Sequence, residues 1–214
     1  MDMVHEGNIC NPREVKLLDY VLELPGEISA DVCDELIDTY DAFVSPEHDL
    51  VITDGIANDK KAFIPLKKLN TYSSNSHGRI DIEGIVKKYD QWLDDKGLEL
   101  QLKCINGEMT ERFGLCGGAD SNDACGGNQL FGGMMCISTS DKFGYQYTST
   151  GVIVILFLNE SRDVSGKGDL ELAPGLSIEA RKGKVVVFPS SWMYAFDDTP
   201  FKNIDKYVVY YLLD

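Results

Sequence analysis

The second half of the chain is a succession of short apolar segments separated by glycine and proline, and this pattern constrains the fold most. The segments cover residues 134–138, 152–158, 170–178, 184–188 and 207–213. Each has the length and the β-branched or aromatic content of a strand, and no helical period alternates with them. Because parallel strands need long crossover connections, the pattern predicts an antiparallel sandwich or barrel.

The first half predicts elements that support this β-structure. Residues 15–24 end in an alternating strand pattern, and Ser29 is placed to cap a helix. A second helix begins near residue 82 and ends at Gly97. Apolar residues recur at helical spacing in both segments: Val32, Cys33, Leu36, Ile37 and Tyr40 in the first, and Ile82, Ile85, Val86, Tyr89, Trp92 and Leu93 in the second. We therefore expect two amphipathic helices, and we expect the second to cover a sheet.

The connecting regions carry weaker patterns. Residues 51–78 predict strand fragments and loops, residues 98–104 a half-buried strand, and the glycine-rich residues 114–133 a long loop. With 214 residues, one compact domain is expected. Within it, residues 1–97 form an N-terminal strand and helix support, and residues 98–214 form the main β-structure.

Charge limits the partners. Lys and Arg number 20 against 35 Asp and Glu, which gives a net charge of −15. Such a chain repels phosphate backbones, so we expect protein partners and no direct nucleic acid. The apolar run 152–158 is too short to span a membrane, and residues 1–8 do not form a secretory signal. We expect a cytoplasmic protein with free cysteines.

Familiar metal and nucleophile motifs are not evident in the sequence. Cys116 and Cys125 are spaced too far apart for a zinc pair, and Asp120, Asn122 and Asp123 do not follow the EF-hand order. The histidines are His5, His48 and His77, each in a polar segment typical of a solvated side chain. A serine or cysteine nucleophile would need such a base nearby.

The order of motifs after residue 144 carries a resemblance to a known family. An apolar strand ends in Leu158-Asn159, Gly168 opens a Gly-x-Leu turn strand, Lys182-Gly183 leads a valine-rich strand into Phe188-Pro189, and Lys206-Tyr207 opens the last strand. Together they resemble the 2-oxoglutarate and Fe(II)-dependent oxygenases, in particular the small prolyl-hydroxylase-like forms of phages. The resemblance implies a mainly β fold with flanking helices (α+β), a double-stranded β-helix of the jelly-roll or cupin-like type.

The same resemblance sets the iron ligands of the family, His-x-Asp and a distal His, on Thr148, Thr150 and Phe196. Hydroxyl groups bind ferrous iron weakly and a phenyl ring not at all. No histidine follows His77, so a shifted register does not restore the ligands. We therefore treat Thr148, Thr150 and Phe196 as degenerate metal positions, and expect no metal and no cofactor.

Lys206 falls where the family has the basic residue that pairs with the carboxylate of 2-oxoglutarate. Lys206, with Trp192 and Tyr194, is therefore a candidate carboxylate-binding set. The alternatives are a surface lysine at the start of an edge strand and two aromatic residues that pack in the core.

Three hypotheses of function follow from the resemblance. The first is a non-catalytic jelly-roll protein that acts as a structural or protein-interaction component, for example in a phage particle or another larger complex in the host cytoplasm. The second is an active Fe(II) and 2-oxoglutarate-dependent hydroxylase with atypical ligands such as Asp141, Asp169 and His77. The third is a small-carboxylate binding module that retains Lys206.

Overall fold

The computed structural model describes residues 16–44, 64–65, 80–98, 131–139, 151–160, 168–173, 175–190 and 194–213. After a short 3-10 helix at Leu17–Tyr20, the elements in chain order are β1 (Leu22–Leu24), α1 (Ala30–Val44), β2 (Ile64–Pro65), α2 (Ile82–Asp95), β3 (Phe131–Ile137), β4 (Val152–Phe157), β5 (Leu170–Leu172), β6 (Leu176–Ile178), β7 (Val185–Pro189), β8 (Phe196–Asp198) and β9 (Lys206–Leu213).

Two antiparallel sheets form the β-structure. The large sheet has the strand order β1-β7-β4-β9-β3-β2, and the small sheet has the order β6-β5-β8. Every residue of the interior strands β4 and β7 is buried, so both faces of the large sheet are covered there. This explains why both strands are continuous apolar runs rather than alternating ones, since neither face meets water.

The helices form where the sequence predicts them. The Ser29 hydroxyl accepts a hydrogen bond from the Val32 amide at 3.4 Å, and the Asp81 carboxylate accepts one from the Gly84 amide at 2.9 Å. These bonds satisfy backbone donors at the two N-termini. Cys33, Leu36 and Tyr40 of α1 are buried, as are Ile85, Val86, Tyr89 and Leu93 of α2. The two predicted apolar faces are therefore confirmed.

Alternation along β9 shows which layer lies on each side of the large sheet. Tyr207 contacts α1, because its hydroxyl donates to Asp41 at 2.8 Å and its ring meets that of Tyr40 edge-on at 5.9 Å. Lys206 and Tyr210 face the opposite way and contact β8 of the small sheet. Successive side chains of a strand point to opposite faces. Helix, large sheet and small sheet therefore form three layers at this strand.

Two sequence predictions need correction. The predicted loop 114–133 ends too late, because Gly132 and Gly133 belong to β3 and pair with Tyr211 and Tyr210. The predicted strand 170–178 is a hairpin of β5 and β6, with Gly175 at a φ of +88° in its turn.

The short strand β8 was not predicted, because Asp197 and Asp198 are typical of turns.

Of the predicted strand 98–104 only Leu98 lies inside the described residues, and most of segments 51–78 and 114–133 lies outside them. The division at residue 97 stays a prediction. Neither Cys33 nor Cys136, the two cysteines within the described part, is in a disulfide bond there. No described helix has the length and apolar character that crossing a membrane requires.

Candidate functional site

Two of the predicted site residues, Phe196 and Lys206, lie on strands that face each other between the two sheets. Phe196 and Asp198 lie two residues apart on β8, so their side chains leave the same face of that strand. Lys206 and Tyr210 lie four apart on β9 and likewise share a face. The two strands turn these faces toward each other, which places an aromatic ring, a carboxylate, an ammonium group and a phenol in one interior region.

Lys206 is fully buried, with no exposed side-chain surface. Its Nζ donates to the carbonyl oxygens of Gly168 at 2.6 Å and Thr199 at 3.2 Å, and to the carboxylate of Asp198, with which it forms an ion pair. A lysine ammonium has three N–H donors, so these three acceptors use all of them. The alternative of a surface lysine on an edge strand is wrong, because β9 lies between β4 and β3.

The Asp198 carboxylate is held from two sides. Oδ1 accepts from Lys206, and Oδ2 accepts from the hydroxyl of Tyr210. Burial, followed by the negative charge of Asp198, raises the pKa of Tyr210 well above its usual value, so the phenol keeps the proton that it donates. The rings of Phe157 and Phe201 lie 5.1 and 5.4 Å from the Lys206 Nζ and close the site with apolar surface.

Phe196 fills the region beside this ion pair. Its ring meets Phe188 edge-on with centroids 5.9 Å apart, and stacks on Tyr210 with centroids 6.1 Å apart. Only 7% of Phe196 is exposed. The position that the resemblance sets for a histidine ligand is therefore part of an aromatic cluster. Neither the Phe188 ring nor the Phe196 ring has an atom that coordinates iron.

The described residues do not assemble the ligands of the Fe(II) centre that the resemblance implies. Within the described residues, no three His, Cys, Asp or Glu side chains are grouped so that they could hold a metal ion. Thr148 and Thr150, the other two degenerate metal positions, lie outside the described residues. So do Asp141 and His77, whereas the carboxylate of Asp169 accepts a hydrogen bond from the Ser177 hydroxyl at 3.1 Å.

Tyr194, the described aromatic member of the candidate carboxylate-binding set, lies near the segment before β1. Tyr194 is buried, and burial together with Tyr20 and Asp19 raises the pKa of its phenol. Those neighbours belong to the segment before β1, and Tyr194 also acts electrostatically on Tyr89 of α2. Trp192 lies outside the described residues. The carboxylate-binding role of the set stays a prediction.

Sequence reasoning missed Asp198 and Tyr210, the two residues that complete the ion pair. A signal was present: Asp198 stands two residues from the apolar Phe196, at the spacing of a strand face that points inward. The neighbouring Asp197 points the other way, opposite Glu171 of β5. Its Oδ1 is buried and finds no hydrogen-bond partner among the described residues. Burial first, and then Asp198 and Glu171, raise the pKa of Asp197.

Comparison with known proteins finds similarity in structure but not in sequence. No model of a protein family matches the chain, and no curated protein matches it. The viral collagen prolyl hydroxylase of Paramecium bursaria Chlorella virus-1 superposes with a TM-score of 0.52 at 12% identity, over 91% of this chain and 88% of that one. A Pseudomonas putida prolyl-4-hydroxylase superposes with a TM-score of 0.51 at 11% identity, over 90% and 91% of the two chains.

A prolyl hydroxylase of Trichoplax adhaerens, solved with a peptide of the hypoxia-inducible factor oxygen degradation domain, matches 91% of this chain and 83% of its own at 12% identity, with a TM-score of 0.50. At such identities the comparison speaks for fold alone. The predicted fold class is confirmed: the chain is mainly β with flanking helices and has the jelly-roll fold of the prolyl 4-hydroxylases.

Proposed function

We propose that this protein is a non-catalytic, oxygenase-shaped protein that works through contact with other proteins, as a structural or interaction component of a larger assembly such as a phage particle. The observation that carries the proposal is the packing of Phe196. The resemblance predicts a histidine ligand at this position, and the Phe196 ring is covered by Phe188 and Tyr210. An apolar core at this place is stable without a metal, because it leaves no buried polar ligand unsatisfied.

The Lys206 ion pair also supports the proposal, because it bears on whether a co-substrate such as 2-oxoglutarate could bind. A lysine that serves a diffusible carboxylate needs a free donor when that ligand is absent. All three donors of Lys206 already have acceptors within the chain. The buried charge is neutralised by Asp198, so the fold has no need of an external acid at this point.

The exposed side of α1 supports action by contact. Asp31, Asp34, Asp38 and Asp41 are exposed and follow one another at helical spacing, which forms an acidic stripe along the helix. Lys182 pairs with Asp34 at 2.6 Å. The stripe agrees in sign with the net charge of −15 and favours a basic protein surface as its partner.

Metal binding and turnover test the non-catalytic half of the proposal. Purified protein is dialysed without oxygen against Fe(II) or Co(II), the bound metal is measured, and 2-oxoglutarate decarboxylation is followed with an active prolyl hydroxylase as the positive control. We expect metal far below one equivalent and no turnover. One equivalent of metal with turnover would refute the proposal and return the hydroxylase hypothesis. In that case Asp169→Ala, Asp141→Ala and His77→Ala would show whether these residues hold the metal.

A charge comparison tests the contact half. Asp31→Asn with Asp38→Asn removes two charges from the acidic stripe. Glu83→Gln with Asp95→Asn removes two exposed charges from α2 and is the matched control. We expect only the first pair to release proteins that co-purify with the tagged wild-type chain from its native host. Equal retention by both double variants would show that the stripe is not the contact surface.

A further inference from the structure

Lys206 and Tyr210 are arranged as a receptor for one carboxylate. They lie on the same face of β9, and each donates to a different oxygen of the Asp198 side chain. The carbonyl oxygens of Gly168 and Thr199 fix the ammonium group through its other donors. A carboxylate bound at both oxygens by separate donors is held in position and in orientation.

The buried ammonium group of Lys206 also requires a negatively charged partner. Asp198 is 3% exposed and Lys206 is fully buried, so water does not compensate either charge. A buried ammonium group without a counter-ion is strongly unfavourable. Removing the Asp198 carboxylate would leave the two donors, the two carbonyl oxygens and a space of about one carboxyl group. Only an anion of matching shape satisfies this arrangement.

We propose that Lys206 and Tyr210 form a carboxylate-binding site which the chain occupies with its own Asp198, and which binds a small carboxylate from solution once that side chain is shortened. The inference deepens the proposed function, because a site filled from within needs no co-substrate. β8 is the outer strand of the small sheet in the order β6-β5-β8, so a single described strand of that sheet holds it in place.

The size of the rescuing anion follows from the size of the deletion. Asp198→Ala removes the carboxyl group alone, which leaves room for formate. Asp198→Gly also removes the Cβ methyl group, which leaves room for acetate. The geometry therefore gives a rank order: the alanine variant responds better to formate than to acetate, and the glycine variant gains a response to acetate. Nonspecific salt effects do not produce such an order.

Thermal unfolding of the full chain tests the proposal. Wild type, Asp198→Ala, Asp198→Gly and Asp198→Asn are compared in sodium formate, sodium acetate and sodium chloride at equal ionic strength. An anion that binds only the folded state must raise the melting temperature in a saturable way. We expect this rise for the alanine and glycine variants in the order stated, and none beyond chloride for the wild type. Asp198→Asn keeps the shape of the side chain and is the control that we expect not to respond.

A second variant tests the role of the phenol. Tyr210→Phe in the Asp198→Ala background removes one donor and should raise the formate concentration for half-maximal stabilisation by about ten- to hundredfold, the loss expected of one hydrogen bond to a charged group. If the alanine and glycine variants unfold, refolding from urea with and without carboxylate replaces the melting curve. We then expect folding only in the presence of carboxylate.

Several results would overturn the inference. They are equal responses to formate and chloride in the shortened variants, an equal response in Asp198→Asn, and failure of carboxylate to restore folding. None of these measurements involves iron or turnover. A chain that bound iron in the earlier experiment would refute the proposed function and leave the carboxylate site to be judged by its own result.

Discussion

Replacement of Phe196 by alanine tests whether the aromatic cluster contributes to stability as the packing indicates. The ring is 7% exposed and contacts the rings of Phe188 and Tyr210 across the two sheets. A buried aromatic side chain removes about 200 Å² from water, which at about 25 cal/mol per Å² is about 5 kcal/mol. Alanine retains about 0.8 kcal/mol of this through its methyl group. We expect Phe196→Ala to lower the free energy of unfolding by about 4 kcal/mol, within the range of about 3–5 kcal/mol typical of such changes.

Urea denaturation followed by circular dichroism and by fluorescence measures this loss. Phe196→Leu is the matched variant, since it keeps most of the apolar volume and gives up two ring pairs worth about 0.5–1.5 kcal/mol each. Leu18→Ala is the surface control, because Leu18 is 39% exposed and such changes stay within about 0.5 kcal/mol. A loss below about 1 kcal/mol for Phe196→Ala, with an unchanged m-value, would refute the packing argument. The region would then have to be open enough for a ligand.

Three further changes probe the same layers. Lys206→Met should lower the free energy of unfolding in urea by about 3–5 kcal/mol. The double variant Lys206→Met with Asp198→Leu should lower it clearly less, because it leaves no unpaired buried charge. Equal losses for the two variants would contradict this reasoning. Asp197→Asn should raise the melting temperature at pH 7, since the raised pKa of Asp197 makes its ionisation unfavourable in the folded state. This gain should vanish as the pH falls below about 3.9, where the carboxyl group is protonated in both the folded and the unfolded state. A gain at pH 3 equal to that at pH 7 would exclude this cause. Gly168→Ala should reduce the yield of folded protein, because Gly168 has a φ of +108° and a Cβ there would lie 2.0 Å from Cδ1 of Phe201; a normal melting temperature would show that Phe201 can move aside.

The elements that sequence predicted well are those whose pattern depends on local spacing alone. The helices α1 and α2 have caps and apolar stripes, and the strands β4, β7 and β9 are long apolar runs. The glycines of β3 could not be assigned to a strand in this way. Their place in the sheet comes from pairing with β9, which lies about 80 residues later in the chain, and local spacing carries no signal of it.

Local sequence patterns predicted even less of the candidate site than of the fold. The motif order pointed to Lys206 and Phe196, but it could not show whether Lys206 was exposed or paired. The pairing depends on β8, three residues long, whose two aspartates favour a turn by composition. Only the placement of β8 opposite β9 distinguishes Asp198, which is 3% exposed and ion-paired, from Asp197, whose Oδ1 lacks a described partner. The two-residue spacing of Phe196 and Asp198 separates the two aspartates only once residues 196–198 are known to form a strand.

One strand carries both of the side chains on which the proposed non-catalytic function depends. Phe196 and Asp198 share the inward face of β8, so a single placement of that strand sets the ring on the Phe188 and Tyr210 cluster and the carboxylate on Lys206. The ring contributes through apolar contact and the carboxylate through charge, and Tyr210 touches both. Loss of either side chain should therefore weaken the hold of the other on β9. Coupling of this kind is measurable as non-additive unfolding free energies between Phe196→Leu and Asp198→Asn, and strictly additive values would mean that the two side chains act independently.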